Sequence, residues 1–239
     1  MKKRIALVVA APLVGASLIA AAVIATNLAG NGEPVPPVAS PGATSRPPST
    51  AAPEATAPRG GVVDESVSEL GMVPEPITRD IEVYADAAFR AFATYDTTKT
   101  TRSEFIGHLK TWFTRDMGIH KPEDRVRALK HQRSALYDRV DGLQMWDGLT
   151  STRGTAVARV DGPIRYSRHD EDPTGDMRWA DGDVTVTYTQ HDGGARPAVQ
   201  EITMPIRALI LCGAETDPTP GSAQKSGDCK LVRIVSARP

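Results

Sequence analysis

The chain has 239 residues, with 28 Lys+Arg against 29 Asp+Glu, 40% apolar and 5% aromatic residues, 19 Pro and 2 Cys. Two cysteines exclude a disulfide-dense miniprotein and a Cys-rich metal scaffold. Setting aside Lys2, Lys3 and Arg4 leaves 25 basic against 29 acidic groups, a net of about −4 that excludes a strongly basic nucleic-acid binder.

These averages join unlike segments. All the aromatics lie at or after Tyr84, the prolines crowd between Pro34 and Pro58, and the longest uncharged apolar run is at the N-terminus. Four segments are expected: a basic tip at 1–4, a transmembrane anchor at 5–28, a Pro-rich linker at 29–62 and a domain at 63–239. Ile5 to Leu28 carries no charge. As a helix it would be about 36 Å long, enough for a hydrocarbon core of about 30 Å. Lys2, Lys3 and Arg4 precede this run and the first basic residue after it is Arg46, so the positive-inside bias leaves the N-terminus in the cytoplasm and the rest outside. The expected location is therefore the cell membrane, in a single pass. The alternative is a cleaved signal peptide with secretion, for which Val23-Ile24-Ala25 offers a small-residue site.

Between 29 and 62 there are eight prolines among Ala, Ser, Thr and Gly, with no aromatic. Such a segment buries too little apolar surface to offset its ordering entropy, so a disordered tether with polyproline-II bias is expected, reaching about 100 Å when extended.

In the domain, Ile77, Ile81, Tyr84, Ala85, Ala88, Phe89 and Phe92 recur at helical spacing, with Thr78 as N-cap and Asp80 and Glu82 in the first turn; the helix should end near Tyr95-Asp96. Thr101-Arg102-Ser103-Glu104 has capping-box spacing before the apolar stripe Phe105, Leu109, Trp112 and Phe113. Pro122, Glu123 and Asp124 open a third helix, whose less regular body (Val126, Leu129, Leu136, Tyr137, Val140) predicts a break. Beyond Gly154 the period becomes two. Ala156-Ala158-Val160, Val184-Val186-Tyr188 and Ile202-Met204-Ile206 mark three strands, and Lys230 to Ala237 a fourth. Asp192-Gly193-Gly194 signals a hairpin, and Gly162-Pro163 and Pro205 mark bulges or edges. The class is α+β: helices first, then a four-stranded antiparallel sheet covered on one face.

Cys212 closes the third strand and Cys229 opens the fourth, at the neck of a long loop, which suits a disulfide in an oxidising compartment. A catalytic thiol is the alternative: a strand-terminal Cys212 with Arg233 on the next strand, behind an anchor and stalk, resembles the sortase transpeptidases. Leu211 stands where that family has Thr, and Arg233 follows Cys212 by 21 residues.

Gly-x-Ser-x-Gly, His-Glu-x-x-His and phosphate-binding glycine loops do not occur. His108, His120, His131, His169 and His191 are scattered and expected at the surface. Asp170-Glu171-Asp172 with Asp176, Asp181 and Asp183 reads as an acidic hairpin loop; Pro173 interrupts its likeness to a calcium loop. Lys121, Arg125, Arg127, Lys130 and Arg133 put basic charge on the third helix, a candidate docking surface for an acidic partner or wall polymer. No catalytic residue, metal site or cofactor is expected.

The run Ala87-Ala88-Phe89-Arg90-Ala91-Phe92-Ala93-Thr94-Tyr95-Asp96-Thr97, followed by a Ser-Glu-Phe helix with Trp112, resembles small membrane-anchored proteins of high-GC Gram-positive bacteria. The resemblance implies a cystatin-like or nuclear-transport-factor-2-like ectodomain, an architecture shared with bitopic assembly components of type IV secretion and conjugation systems. It implies a non-enzymatic interaction module in the cell envelope, with other envelope or secretion-apparatus proteins or a second copy as partner. A small-ligand or wall-polymer receptor using the concave face of the sheet is the alternative.

Overall fold

The computed structural model describes residues 60–138, 146–191, 193 and 196–236; the anchor, most of the linker and Val140 lie outside them. In chain order the elements are a 3-10 turn at Ser66–Ser68, α1 (Ile81–Ala91), β1 (Tyr95–Asp96), α2 (Arg102–Thr111), α3 (Pro122–Ser134), α4 (Trp146–Ser151), β2 (Thr155–Arg168), β3 (Met177–Gln190), β4 (Ala198–Leu211) and β5 (Lys230–Ser236).

The first helix starts two residues later than the expected cap at Thr78 would set it. Asp80, not Thr78, is the N-cap: its carboxylate accepts from the N–H groups of Glu82 and Val83, while the Thr78 hydroxyl accepts from the Asp80 N–H. Ile77 instead belongs to a strap that folds back on itself, with the Val63 N–H on the Glu75 carbonyl at 2.8 Å and the Ile77 N–H on the Gly61 carbonyl at 2.9 Å. The helix ends at Ala91, and Tyr95-Asp96 is a strand rather than its last turn. Tyr95 pairs with Ala156 and Asp96 with Thr155, so the sheet has five strands, one more than the apolar runs indicate. A two-residue strand carries too little alternation to be seen as one.

The capping box of α2 is present in both directions, Thr101 with Glu104. Helix α3 has Pro122 in its first turn and ends at Ser134; Ala135 keeps right-handed helical dihedrals, and Leu136 after it is buried in the core.

All pairings in the sheet are antiparallel, in the order β1-β2-β3-β4-β5, and the sheet is curled. The β2–β3 register breaks between Asp161 and Arg165, where Gly162 takes φ 71° ahead of Pro163. Pro205 lies in β4, one residue before the first β4–β5 pair. The chain leaving α2 adds a parallel bridge to the outer edge of β5: Leu231 N–H donates to the Trp112 carbonyl at 2.9 Å, and Thr114 N–H to the Leu231 carbonyl at 2.7 Å.

Helix α1 fills the inner face of the curl. Tyr84, Ala85, Ala88, Phe89 and Phe92 are buried against strand residues that include Ala180, Val184, Val186 and Ala208. A side chain at Gly182 would begin 3.0 Å from the Phe89 ring, so this glycine makes room for the helix. A smaller core of Met117, Met177, Leu209, Leu211 and Val232 lies apart from it. Cys212 and Cys229 are joined, with their Cα atoms 4.0 Å apart, and close a 17-residue loop.

Candidate functional site

A groove of about 570 Å³ runs between the strap at 63–72, helix α2 and the loop at 219–222. Its apolar wall includes Val67, Leu70 and Met72; its polar groups include Asp64, Glu104, His108 and Ser222. Gly107 exposes helix backbone along it, and a Cβ at this position would meet nothing within 4 Å.

The groove is acidic. The Ser66 hydroxyl and N–H, donating to Asp64, hold its carboxyl below the usual range, and the N-cap Thr101 backbone does the same for Glu104. His108 is half-buried, and desolvation pulls its pKa down, which favours the neutral ring. Its Nε2 lies 2.8 Å from the Val73 carbonyl and 3.2 Å from the Trp112 Nε1. One nitrogen cannot donate to the first and accept from the second, and the shorter contact assigns the proton to Nε2 and leaves Nδ1 the acceptor. The Ser66 hydroxyl is committed to Asp64 at 2.6 Å. The arrangement suits recognition of a polar or cationic chain.

Behind the groove wall lies a buried polar cluster that the sequence reading missed. Lys230 and Glu75 are 1% and 0% exposed, with Nζ 2.8 Å from Oε1. Tyr84 Oη also donates to Glu75 Oε1 at 2.8 Å, and Gln224 Nε2 at 3.3 Å. Lys230 additionally meets the Thr111 carbonyl, Thr219 Oγ1 at 2.8 Å and Gln224 Oε1 at 3.3 Å. Glu75 Oε2 is buried without a donor. Desolvation pushes Glu75 up and Lys230 down, both toward their neutral forms. A lysine opening an apolar strand was the available signal, since a cation there needs a buried partner.

The five basic residues of α3 do not form one free surface. Arg125 Nε donates to the Ile119 carbonyl at 2.5 Å and Arg133 Nη2 to the Phe113 carbonyl at 3.1 Å, so these two fasten the helix to the domain. Arg127 pairs with Asp124 at 2.8 Å. Lys121 and Lys130 are exposed and make no ion pair among the described residues. The outward face of α3 therefore presents Arg127 and Lys130 beside Val126, which is 59% exposed.

The Cys212 sulfur is bonded to Cys229, and Arg233 turns to Asp116, so the thiolate reading loses both its nucleophile and its arginine. In the acidic loop, Asp172 accepts from Thr174 and from the Met177 N–H, closing a turn; Asp181 and Asp183 belong to β3 instead. Among the described residues, no group of three or more Asp, Glu, His or Cys is placed to hold a metal ion. His108 and His169 are half-buried rather than exposed, the latter edge-on to Trp179. The inner face of the sheet, which the alternative receptor reading required to be open, is occupied by α1.

Fold and site together define an α+β domain with a curled five-stranded antiparallel sheet and an open acidic groove beside its helices. No family model matches the chain, and no curated protein matches it. Two solved chains match. One is the crystal structure of an IcmL-like type IV secretion system protein from Legionella pneumophila, with TM-score 0.41 and 10% identity, covering 66% of this chain and 92% of that one. A likeness of that degree carries no functional weight.

Proposed function

We propose that this chain is a single-pass envelope protein whose outward domain, of cystatin-like or nuclear-transport-factor-2-like type, is a non-enzymatic interaction module. The observation that carries the reading is the Cys212–Cys229 disulfide, on a chain that opens Lys2-Lys3-Arg4 and then runs uncharged from Ile5 to Leu28. Structural disulfides persist outside the reducing cytosol, on the side to which the charge bias assigns the domain. The Pro-rich stretch gives the domain reach.

Docking is assigned to the groove and to the outward face of α3, with an envelope or secretion-apparatus protein as partner. A second reading, capture of a small ligand or wall polymer, is favoured by the volume of the groove and the convergence of Asp64, Glu104 and His108 in it.

The test is a photo-crosslinking residue at Gly107, where a new side chain meets open space, with a control at Val199, which is 61% exposed on β4. In intact cells, position 107 should give a discrete adduct with an envelope protein or a second copy, and position 199 should not. A glycan adduct at 107 would favour the receptor. No adduct at 107, or the same adduct from both positions, would overturn docking at the groove.

A further inference from the structure

The buried cluster behind the groove is arranged for a reaction as well as for packing. Lys230, Gln224 and Glu75 are 1%, 6% and 0% exposed. The amine of Lys230 lies 3.3 Å from the carboxamide oxygen of Gln224, and one atom, Glu75 Oε1, touches both Lys230 Nζ at 2.8 Å and Gln224 Nε2 at 3.3 Å. The Thr219 backbone N–H donates to Gln224 Oε1 at 3.0 Å. These contacts fix the orientation of the amide: turned over, it would set its NH₂ against two donors and its oxygen against a carboxylate.

A nucleophile, an acyl donor, an acid–base group reaching both the attacking and the leaving nitrogen, and an N–H on the acyl oxygen are the parts that transamidation requires. We propose that Lys230 and Gln224 become joined by an amide bond within the folded domain, with Glu75 as the catalytic acid–base. Lys230 Nζ attacks Gln224 Cδ to form the Nζ–Cδ bond, and the carbonyl electron pair moves onto Oε1, where the hydrogen bond from the Thr219 N–H stabilises the charge. Glu75, held as the acid, gives its proton to Nε2 and regains one from Nζ. Collapse of the adduct restores the carbonyl, breaks Cδ–Nε2 and releases ammonia; no oxidant or cofactor is consumed.

Burial supplies the protonation states. Desolvation lowers the Lys230 pKa, which favours the free amine, and raises that of Glu75, which favours the acid. Glu75 Oε2 is buried with no donor, so the ion pair leaves the carboxylate incompletely satisfied. The new bond would close a ring at the base of β5, beside the Cys212–Cys229 disulfide.

The test is the mass of tryptic peptides from the full-length protein after reduction and alkylation. Peptide 208–225, which ends at Lys225, should remain joined to 226–233 with Lys230 uncleaved, and the pair should weigh about 17 Da less than the sum, one ammonia. Separate peptides with cleavage after Lys230 would mean an ordinary buried ion pair and overturn the proposal. A loss of about 18 Da, one water, with Lys230 joined to the peptide carrying Glu75, would overturn the assignment of Gln224 as the acyl donor. The variant Glu75→Gln should yield separate peptides while keeping the Cys212–Cys229 bond, which reports that it has folded. A linkage that survived in this variant would remove Glu75 from the mechanism.

Discussion

Glu75 carries more of the fold than its place between two prolines suggests. Its carboxyl gathers Tyr84 from α1, Gln224 from the long loop and Lys230 from β5, and it anchors the strap to all three. Glu75→Ala removes the carboxyl that Tyr84, Gln224 and Lys230 share in the core and should cost about 3–5 kcal/mol in urea denaturation; a change below about 1 kcal/mol would show that these groups find other compensation. His108 adds a pH dependence whose sign follows from its lowered folded pKa. The neutral ring is the one the fold favours, so its contribution is fully present above the ordinary imidazole value of about 6.5 and is lost as pH falls from there toward the folded pKa. For one proton the slope is at most about 1.4 kcal/mol per pH unit, and His108→Gln should flatten it. Neither residue stands out in the sequence. Glu75 sits in no periodic run, and the scattered placement that made His108 look like a surface residue says nothing of the strap beside it.

At the scale of elements, what was legible is what is local. The Thr101–Glu104 box and the Pro122 start depend on neighbours three or four residues away, and both helices begin as those signals indicate. The alternating runs became long strands for the same reason. The strand at Tyr95–Asp96 was hidden because its stabilisation comes from Ala156 and Thr155, some sixty residues later. Helix α3 shows both sides of this. Its charges were visible, but their division was not, since Arg125 and Arg133 are held by carbonyls from the preceding segment. Arg133→Ala should therefore cost about 1.5–3 kcal/mol, the range for a hydrogen bond from a charged group. Reversal of Arg127 and Lys130 together should leave the unfolding midpoint within experimental error. Equal destabilisation by both changes would contradict the division of α3 into an inner and an outer face. Partner binding should respond the opposite way, weakening on reversal of the outer pair.

For the whole molecule, the nearly neutral charge total hides a separation. Three basic residues stand at the N-terminus, and the rest of the chain carries a net of about −4. The disulfide belongs to this scale because its formation depends on which compartment holds the domain. Replacing both Cys212 and Cys229 by Ser should cost roughly 3 kcal/mol for a loop of this length; a thermal midpoint indifferent to the change and to reductant would mean that the bond is not formed in the cell. The most direct test of an outward domain on a membrane tether is labelling of single added cysteines in intact cells with a membrane-impermeant thiol reagent. Val157→Cys, at a position 56% exposed on β2, should be labelled without lysis, and Lys3→Cys only after permeabilisation. Labelling of Val157→Cys that required lysis would place the domain in the cytoplasm and contradict the account.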